Sequence, residues 1–155
     1  MASPDPLDLA LADLRRLAQA NGRRLTGCTE AELRELEVHA GGPLPRAYRR
    51  LMALAGCDAG GFMQGTDWQY PLVSELRAEA DELLLEHGLG PLPADLFVFS
   101  MHQGYALCGF HLGASDDPHV VAFVHGLDRA LRRTPRTFSA WLAASVAQEL
   151  AARCR

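Results

Sequence analysis

The sequence has no lysine, and all 15 of its basic residues are arginine. With abundant alanine, leucine and glycine, this usage indicates a GC-rich genome rather than a special chemistry. Long apolar runs are also missing, so no segment approaches the ~20 residues that a membrane-spanning helix requires. The N-terminal stretch MASPDPLDLALADL has no basic start and is interrupted by Asp5, Asp8 and Asp13, unlike a secretory signal. These absences argue against a membrane protein and predict a cytoplasmic chain.

Motifs for catalysis, metal binding and cofactor binding are missing as well. The chain has no G-x-S-x-G, no H-E-x-x-H, no P-loop and no G-x-G-x-x-G. Its four cysteines are far apart and form no C-x-x-C pair, which suits neither a disulfide framework nor a common zinc module. We therefore expect reduced, mostly buried thiols at Cys28, Cys57, Cys108 and Cys154. The prediction is a chain without catalytic residues, metal ligands or cofactors.

Reactive residue types do gather in one stretch, LFVFSMHQGYALCGFHLGASDDPHVVAF, at residues 96–123. The pattern predicts an antiparallel meander of three strands joined by turns at HQG and GASDDP: residues 96–101, 105–112 and 119–124. Because side chains alternate along a strand, Cys108 and His111 should point to opposite faces. Cys108 is then a small buried apolar residue with a raised thiol pKa. A cysteine-dependent enzyme remains the alternative if that thiol proves accessible and reactive. The histidines lack H-x-H or H-x-x-x-H spacing, so turn and strand-edge positions are preferred to a metal site.

Helical periodicity covers most of the remaining chain. Thr29 and Glu32 form a capping-box pattern before the second helix, and Thr137 can cap the last one. Helices are predicted at residues 6–20, 30–40, from Pro45 to Gly56, along PLVSELRAEADELLLEHGLG from residue 71, and after Thr137. Residues 57–69 are predicted as a long loop, here called the 57–69 loop. Trp68 and Tyr70, at its end, are predicted as exposed aromatic residues. At 155 residues, the chain fits one domain.

Charge is distributed unevenly. Residues 57–126 hold ten acidic residues and one arginine, a formal charge of −9. Residues 1–56 hold eight arginines and seven acids, and residues 127–155 hold six arginines and two acids. At ~100° per residue, four glutamates of the fourth helix fall within about 60° of one another. We call this set the acidic ridge: Glu75, Glu79, Glu82 and Glu86. An acidic surface argues against nucleic acid as the ligand and favours a basic partner.

Four segments, taken in order, resemble the SUKH superfamily, in the branch of the yeast cell-wall assembly regulator and many bacterial immunity proteins. They are TEAELRELEVHAGGPLPRAYRRLMALAG, LPADLFVFSMHQGYALCGFHL, DDPHVVAFVHG and TFSAWL. The resemblance covers about residues 25–150. It implies an α+β fold, with a mostly antiparallel sheet and helices packed against it in a single domain. Residues 1–24 are then an N-terminal amphipathic helix extension, and residues 25–155 are the SUKH-like domain.

The resemblance also implies a binding protein without catalysis. Its bacterial members are antidotes that bind a cognate polymorphic toxin, often a nuclease or a deaminase. The acidic middle suits this role, because it can face the basic cleft of a toxin that binds nucleic acid. The alternative is a regulatory scaffold or adaptor of the cell-wall-regulator type without a toxin partner. The candidate partner-binding residues are the acidic ridge, Asp58, Asp67, Trp68, Tyr70, Asp116 and Asp117.

Overall fold

A computed structural model describes residues 3–153 as a single α+β domain, which confirms the predicted fold class. This part of the chain has five α-helices: Pro6–Ala20 (α1), Glu30–Ala40 (α2), Arg46–Ala55 (α3), Leu76–Glu86 (α4) and Phe138–Arg153 (α5). A 3-10 turn, Leu72–Glu75, precedes α4. The strands are Leu25–Thr26 (β1), Asp58–Ala59 (β2), Thr66–Asp67 (β3), Leu96–His102 (β4), Ala106–His111 (β5), His119–Val124 (β6) and Arg132–Thr137 (β7).

The main sheet has five antiparallel strands in the order β3-β4-β5-β6-β7, and β1 pairs with β2 apart from it. The three-strand meander that the sequence predicts is therefore confirmed, and its strands β4, β5 and β6 form the centre of the sheet. Met101 faces Leu107 across β4 and β5, and Leu107 faces Phe123 across β5 and β6. A bulge lies between Val98 and Ser100 in the β4–β5 pairing.

One face of the sheet packs against α3 and α5 through an aromatic cluster centred on Tyr48. The Tyr48 ring is fully buried, and its centroid lies 5.3 Å from Phe97, 5.3 Å from Phe110 and 5.6 Å from Phe138. These contacts are edge-on, which is a favourable arrangement of aromatic quadrupoles. Tyr48 thus joins α3 to two strands and to the start of α5.

The other face of the sheet packs against α4. Leu107 points away from Phe110 because side chains alternate along β5, and its cross-strand partner Phe123 contacts the His87 ring at the end of α4. Helices therefore cover both faces, and residues 96–101 of β4 are buried throughout. This arrangement makes α4 the outer layer on its side.

Helix α1 begins and ends where the sequence predicts and packs along α5. Asp5 caps it by accepting a hydrogen bond from the Leu7 N–H, at 2.9 Å. Its apolar side joins the one hydrophobic core through Leu7, Ala10, Leu11, Leu14 and Leu17. A division of the chain after residue 24 stays a prediction, but α1 is not detached from the rest.

Strand β7 and the three two-residue strands do not follow from the sequence patterns. β7 has the sequence RRTPRT, which has no alternation of apolar and polar residues. It is a strand because it pairs with β6, where Val121 faces Arg133 and Ala122 faces Arg132. The 57–69 loop contains β2 and β3, which are too short for a periodic signal. Gly60, at φ +62°, lets this loop lie on α1, since a Cβ there would sit 2.5 Å from the Cβ of Ala18.

Neither edge of the main sheet offers a long, regular strand for pairing with another chain. At one edge, β3 is two residues long. At the other, the exposed β7 carries three arginines and Pro135, which has no backbone N–H. Within residues 3–153, none of the helices combines the length and apolar character needed to cross a bilayer.

Candidate functional site

The acidic ridge lies on the solvent side of α4 and of the 3-10 turn before it. All four of its glutamates are exposed. The opposite side of the helix is buried through Leu76, Ala80, Leu83 and Leu84. Leu72, in the segment predicted as helical from residue 71, lies instead in the 3-10 turn before α4 and is 38% exposed. Among the ion pairs of residues 3–153, none includes a ridge glutamate.

The single arginine of the acidic middle, Arg77, does not neutralise the ridge. Its guanidinium donates to the carbonyl oxygens of Leu96 at 2.6 Å, Pro93 at 3.1 Å and Leu92 at 3.3 Å. Asp81, on the same helix, accepts a hydrogen bond from the Leu92 N–H at 3.0 Å. These two side chains therefore fix α4 to the segment that leads into β4, and the ridge keeps its negative charge.

The two acids of the 57–69 loop differ in availability. Asp58 accepts a hydrogen bond from the Gly60 N–H at 2.9 Å and lies 3.5 Å from Arg23 in an exposed ion pair. Asp67 is exposed, faces Met101 in the pairing of β3 with β4, and has no ion-pair partner among the described residues. Asp67 is thus free to contact a partner, whereas Asp58 is partly engaged within the loop.

The prediction that Trp68 is exposed is wrong. Only 3% of this side chain is exposed, and its ring packs edge-on against Phe62 with centroids 5.9 Å apart. β3 places successive residues on opposite sides, so the exposed Asp67 is followed by a side chain directed into the core. Tyr70 is half-buried, and its hydroxyl donates to Glu35 at 2.8 Å, which raises the pKa of Tyr70 to about 12. Of the two aromatics, only Tyr70 offers surface to a partner.

Asp116 and Asp117 lie in the β5–β6 turn, which is anchored to α3 and α5. The Asp116 side chain is exposed, and its carbonyl oxygen accepts a hydrogen bond from the Ala47 N–H at 3.0 Å. Asp117 accepts hydrogen bonds from the backbone N–H of Ser139, at 2.8 Å, and from its hydroxyl. Asp117 therefore caps α5, a structural role that the sequence analysis did not predict. Because α3 and α5 pack on the opposite face of the sheet from α4, this turn is not part of the ridge.

Cys108 agrees with its prediction in the pKa of its thiol but is less buried than predicted. It is half-buried, burial raises the pKa of its thiol, and it lies opposite Ser100 across β4 and β5. His111 points to the other face, where its Nδ1 lies 3.0 Å from a carboxylate oxygen of Asp95. The thiol and the imidazole are thus separated by the sheet. In the described ranges, no three His, Cys, Asp or Glu side chains are grouped so that they could hold a metal ion.

A depression of about 580 Å³ lies on the α4 side of the sheet, where β5, β6 and β7 are left uncovered. His111, His119, Val121 and Arg133 are among the residues that line it, and the Arg133 guanidinium donates to Nδ1 of His119 at 2.9 Å. The sequence analysis missed this surface because it depends on β7. The arginines of RRTPRT were the one sequence feature that could have indicated a basic surface here.

Comparison with known proteins places the chain in a family. The model of the SMI1 / KNR4 family (SUKH-1) matches residues 27–144, which is more than three quarters of the chain. The matched segment runs from just before α2 into α5 and leaves out α1. A search of curated proteins gives no match. The chain belongs to the SMI1 / KNR4 family (SUKH-1).

Proposed function

We propose that this chain is a non-catalytic immunity protein that binds and neutralises a cognate protein toxin, of the nuclease or deaminase type, through the acidic ridge. The observation that carries the proposal is the set of four exposed glutamates without ion-pair partners in residues 3–153. Family membership supports a protein-binding role. We further propose that the chain acts in the cytoplasm, where such a toxin would otherwise reach its substrate.

The ridge is unfavourable for the isolated helix. Like charges three and four residues apart cost ~0.2 to 0.5 kcal/mol per pair. Arg77 donates to backbone carbonyls, and no ion pair of residues 3–153 offsets this repulsion at a ridge glutamate. A basic partner would offset it, because opposite charges brought together across an interface attract and also speed the encounter. A toxin domain that binds nucleic acid presents a basic cleft of this kind.

Neighbouring residues extend the proposed interface beyond α4. One residue, Pro71, separates Tyr70 from the 3-10 turn, so Tyr70 is close in the chain to Glu75, the first glutamate of the ridge. Asp67 adds exposed negative charge, and Asp58 adds a part-engaged carboxylate. A half-buried tyrosine is a suitable anchor, since aromatic side chains contribute much of the binding energy at interface centres. Trp68 is buried against Phe62 beneath the 57–69 loop, whereas Asp116 and Asp117 lie in the β5–β6 turn, away from the ridge.

The double variant Glu79→Arg with Glu82→Arg tests the proposal. We expect the variant to keep its circular dichroism spectrum and melting temperature, because both side chains are exposed. Its toxin binding in a pull-down and its protection of cells that express the toxin should be lost. The matched control is Asp8→Arg with Asp13→Arg, which makes the same change in net charge on the surface of α1. Full protection by the ridge variant would refute the proposal, and so would equal loss in both double variants.

The second candidate function is a regulatory scaffold or adaptor without a toxin partner. It is favoured by the matching family model, whose description names SMI1 and KNR4. Genomic position separates the two candidates: an immunity gene should lie beside a reading frame for a large secreted protein with a variable C-terminal domain. Co-expression of the two neighbouring products, followed by a pull-down, then shows whether the pair forms a complex. A chain with no such neighbour would favour the adaptor.

A further inference from the structure

Two cysteines that are 29 residues apart in the sequence meet in the structure. The Sγ atoms of Cys28 and Cys57 lie 3.9 Å apart. Cys28 directly precedes Thr29, the N-cap of α2, and Cys57 directly follows Gly56, the C-cap of α3. The pair thus joins the two ends of the α2–α3 segment.

Main-chain hydrogen bonds hold both residues in place. The Cys28 N–H donates to the Met52 carbonyl at 2.8 Å, and the Cys57 N–H donates to the Thr26 carbonyl at 2.9 Å. The two segments approach closely only because Gly27 lacks a side chain: a Cβ there would lie 1.7 Å from the Ala53 carbonyl oxygen. The contact between the sulfurs is therefore set by the backbone.

The two thiols differ in exposure. Cys28 is 8% exposed, and burial together with the adjacent Cys57 raises the pKa of its thiol to about 12. Cys57 is half-buried and is the member of the pair that solvent reaches more readily. Cys108 lies in the central sheet, and Cys154 lies outside the described residues. An accessible thiol with a second thiol within reach is the arrangement of an attacking and a resolving cysteine in thiol–disulfide exchange.

We propose that Cys28 and Cys57 are a dithiol that small-molecule disulfides, such as oxidised glutathione, convert to an intramolecular disulfide. The Cys57 thiolate attacks one sulfur of glutathione disulfide, forms a mixed disulfide and releases one glutathione thiolate. Cys28 then gives up its proton and attacks the Cys57 sulfur, which releases the second glutathione. Two protein thiols lose two electrons and two protons, and one glutathione disulfide becomes two glutathione thiols.

The bridge would act on the 57–69 loop. Cys57 opens this loop, and the Tyr70 N–H at its other end donates to the Gly56 carbonyl at 2.8 Å. Oxidation would thus tie both ends of the loop to the start of α2 and lower the conformational freedom of the unfolded chain. The inference does not depend on toxin binding, because its readout is the covalent state of the protein.

The experiment equilibrates the reduced full-length protein with glutathione buffers of increasing oxidised fraction, quenches with acid and alkylates the remaining thiols. The intact mass should show two fewer alkyl groups than the alkylated reduced protein, and the peptide map should show the Cys28 and Cys57 peptides linked, with a mass about 2 Da below the sum of the two thiol peptides. The melting temperature should rise on oxidation. Cys28→Ala should instead accumulate a glutathione mixed disulfide on Cys57. Cys108→Ser is the control and should form the bridge as the wild type does.

Three outcomes would overturn the inference. Cys28 and Cys57 could both stay alkylatable in fully oxidised buffer, the bridge could join either of them to a different cysteine, or the mixed disulfide could persist in the wild type. The peptide map of the wild-type chain decides among these results even where a cysteine variant fails to fold.

Discussion

The Tyr48 side chain is the most completely enclosed polar residue of the aromatic cluster. Its hydroxyl oxygen is buried and has no hydrogen-bond partner in residues 3–153, and burial raises its pKa. An unpaired buried hydroxyl costs free energy, while the ring around it contributes packing. We therefore expect Tyr48→Phe to raise the free energy of unfolding by about 1 kcal/mol, measured by urea denaturation.

Its counterpart is Tyr48→Ala, which keeps neither the hydroxyl nor the ring. Removing a fully buried aromatic ring should cost about 3 to 5 kcal/mol. A destabilised Tyr48→Phe would contradict the prediction and would show that the hydroxyl has a stabilising partner.

Alkaline pH should destabilise the protein through Cys28 and Tyr70. The folded chain raises the pKa of both groups to about 12, from reference values of 9.0 and 10.0. Burial is the main cause at Cys28, and the hydrogen bond to Glu35 is the main cause at Tyr70. The folded state then holds these protons more tightly than the unfolded state does, so stability falls as pH rises. The loss should begin near pH 9 and be complete above about pH 12.

The measurement is the urea midpoint from pH 8 to pH 12, in the presence of a reductant. Tyr70→Phe should reduce the slope between pH 10 and pH 12 and leave the slope between pH 9 and pH 10 unchanged. Identical slopes in variant and wild type would rule out the Tyr70–Glu35 hydrogen bond as a source of the pH dependence.

Helix α1 is outside the segment that matches the family model, yet its packing makes it part of the fold. Leu14 is fully buried in the core, whereas Leu9 on the same helix is 53% exposed. Leu14→Ala should therefore cost about 2 to 5 kcal/mol. Leu9→Ala, the matched control, should change the stability by less than about 0.5 kcal/mol. Equal effects would mean that α1 is an appendage whose packing does not stabilise the domain.

Elements with a strong local signal were predictable from the sequence. The capping box at Thr29 and Glu32 is present, with both of its hydrogen bonds. The three central strands also lie close to their predicted positions, because each is apolar and bounded by turn residues. β7 was missed because only its pairing with β6 makes RRTPRT a strand. The prediction that Trp68 is exposed was wrong for a related reason. Its burial depends on β3, and a strand of two residues has no periodic sequence pattern.

The candidate site was predictable from the sequence only where its residues belong to one periodic helix. Helical periodicity alone places the glutamates of the acidic ridge on one exposed face. The internal roles of Asp81 and Asp117 could not be predicted, because their hydrogen-bond partners, Leu92 and Ser139, are distant in the sequence. The formal charge of −9 counted from the sequence of residues 57–126 therefore overstates the negative charge that is available to a partner.

Taken as a whole, the molecule is electrically asymmetric, with an acidic α4 and an arginine-rich β7. Exposed charges are screened over about 10 Å at 0.1 M salt, so attraction to a basic partner should weaken as salt is added. We expect the association rate constant to fall roughly tenfold between low and high salt, while the dissociation rate changes less. Stopped-flow or surface plasmon resonance measurements would test this.

At the protein concentrations of a rate measurement, well above those of the pull-down, the ridge variant Glu79→Arg with Glu82→Arg should show only slow association, and its rate should depend little on salt. A wild-type association rate that does not vary with salt would mean that the acidic ridge does not steer the encounter.

The two blocked edges of the main sheet bear on solubility. An exposed sheet edge can pair with the edge of another copy, and crowded sheet proteins tend to join edge to edge into fibres. Here β3 offers a template only two residues long, and β7 interrupts its outer edge with arginines and with Pro135. The sheet should therefore stop at five strands, and we expect copies of this chain at high concentration not to pair through their sheet edges.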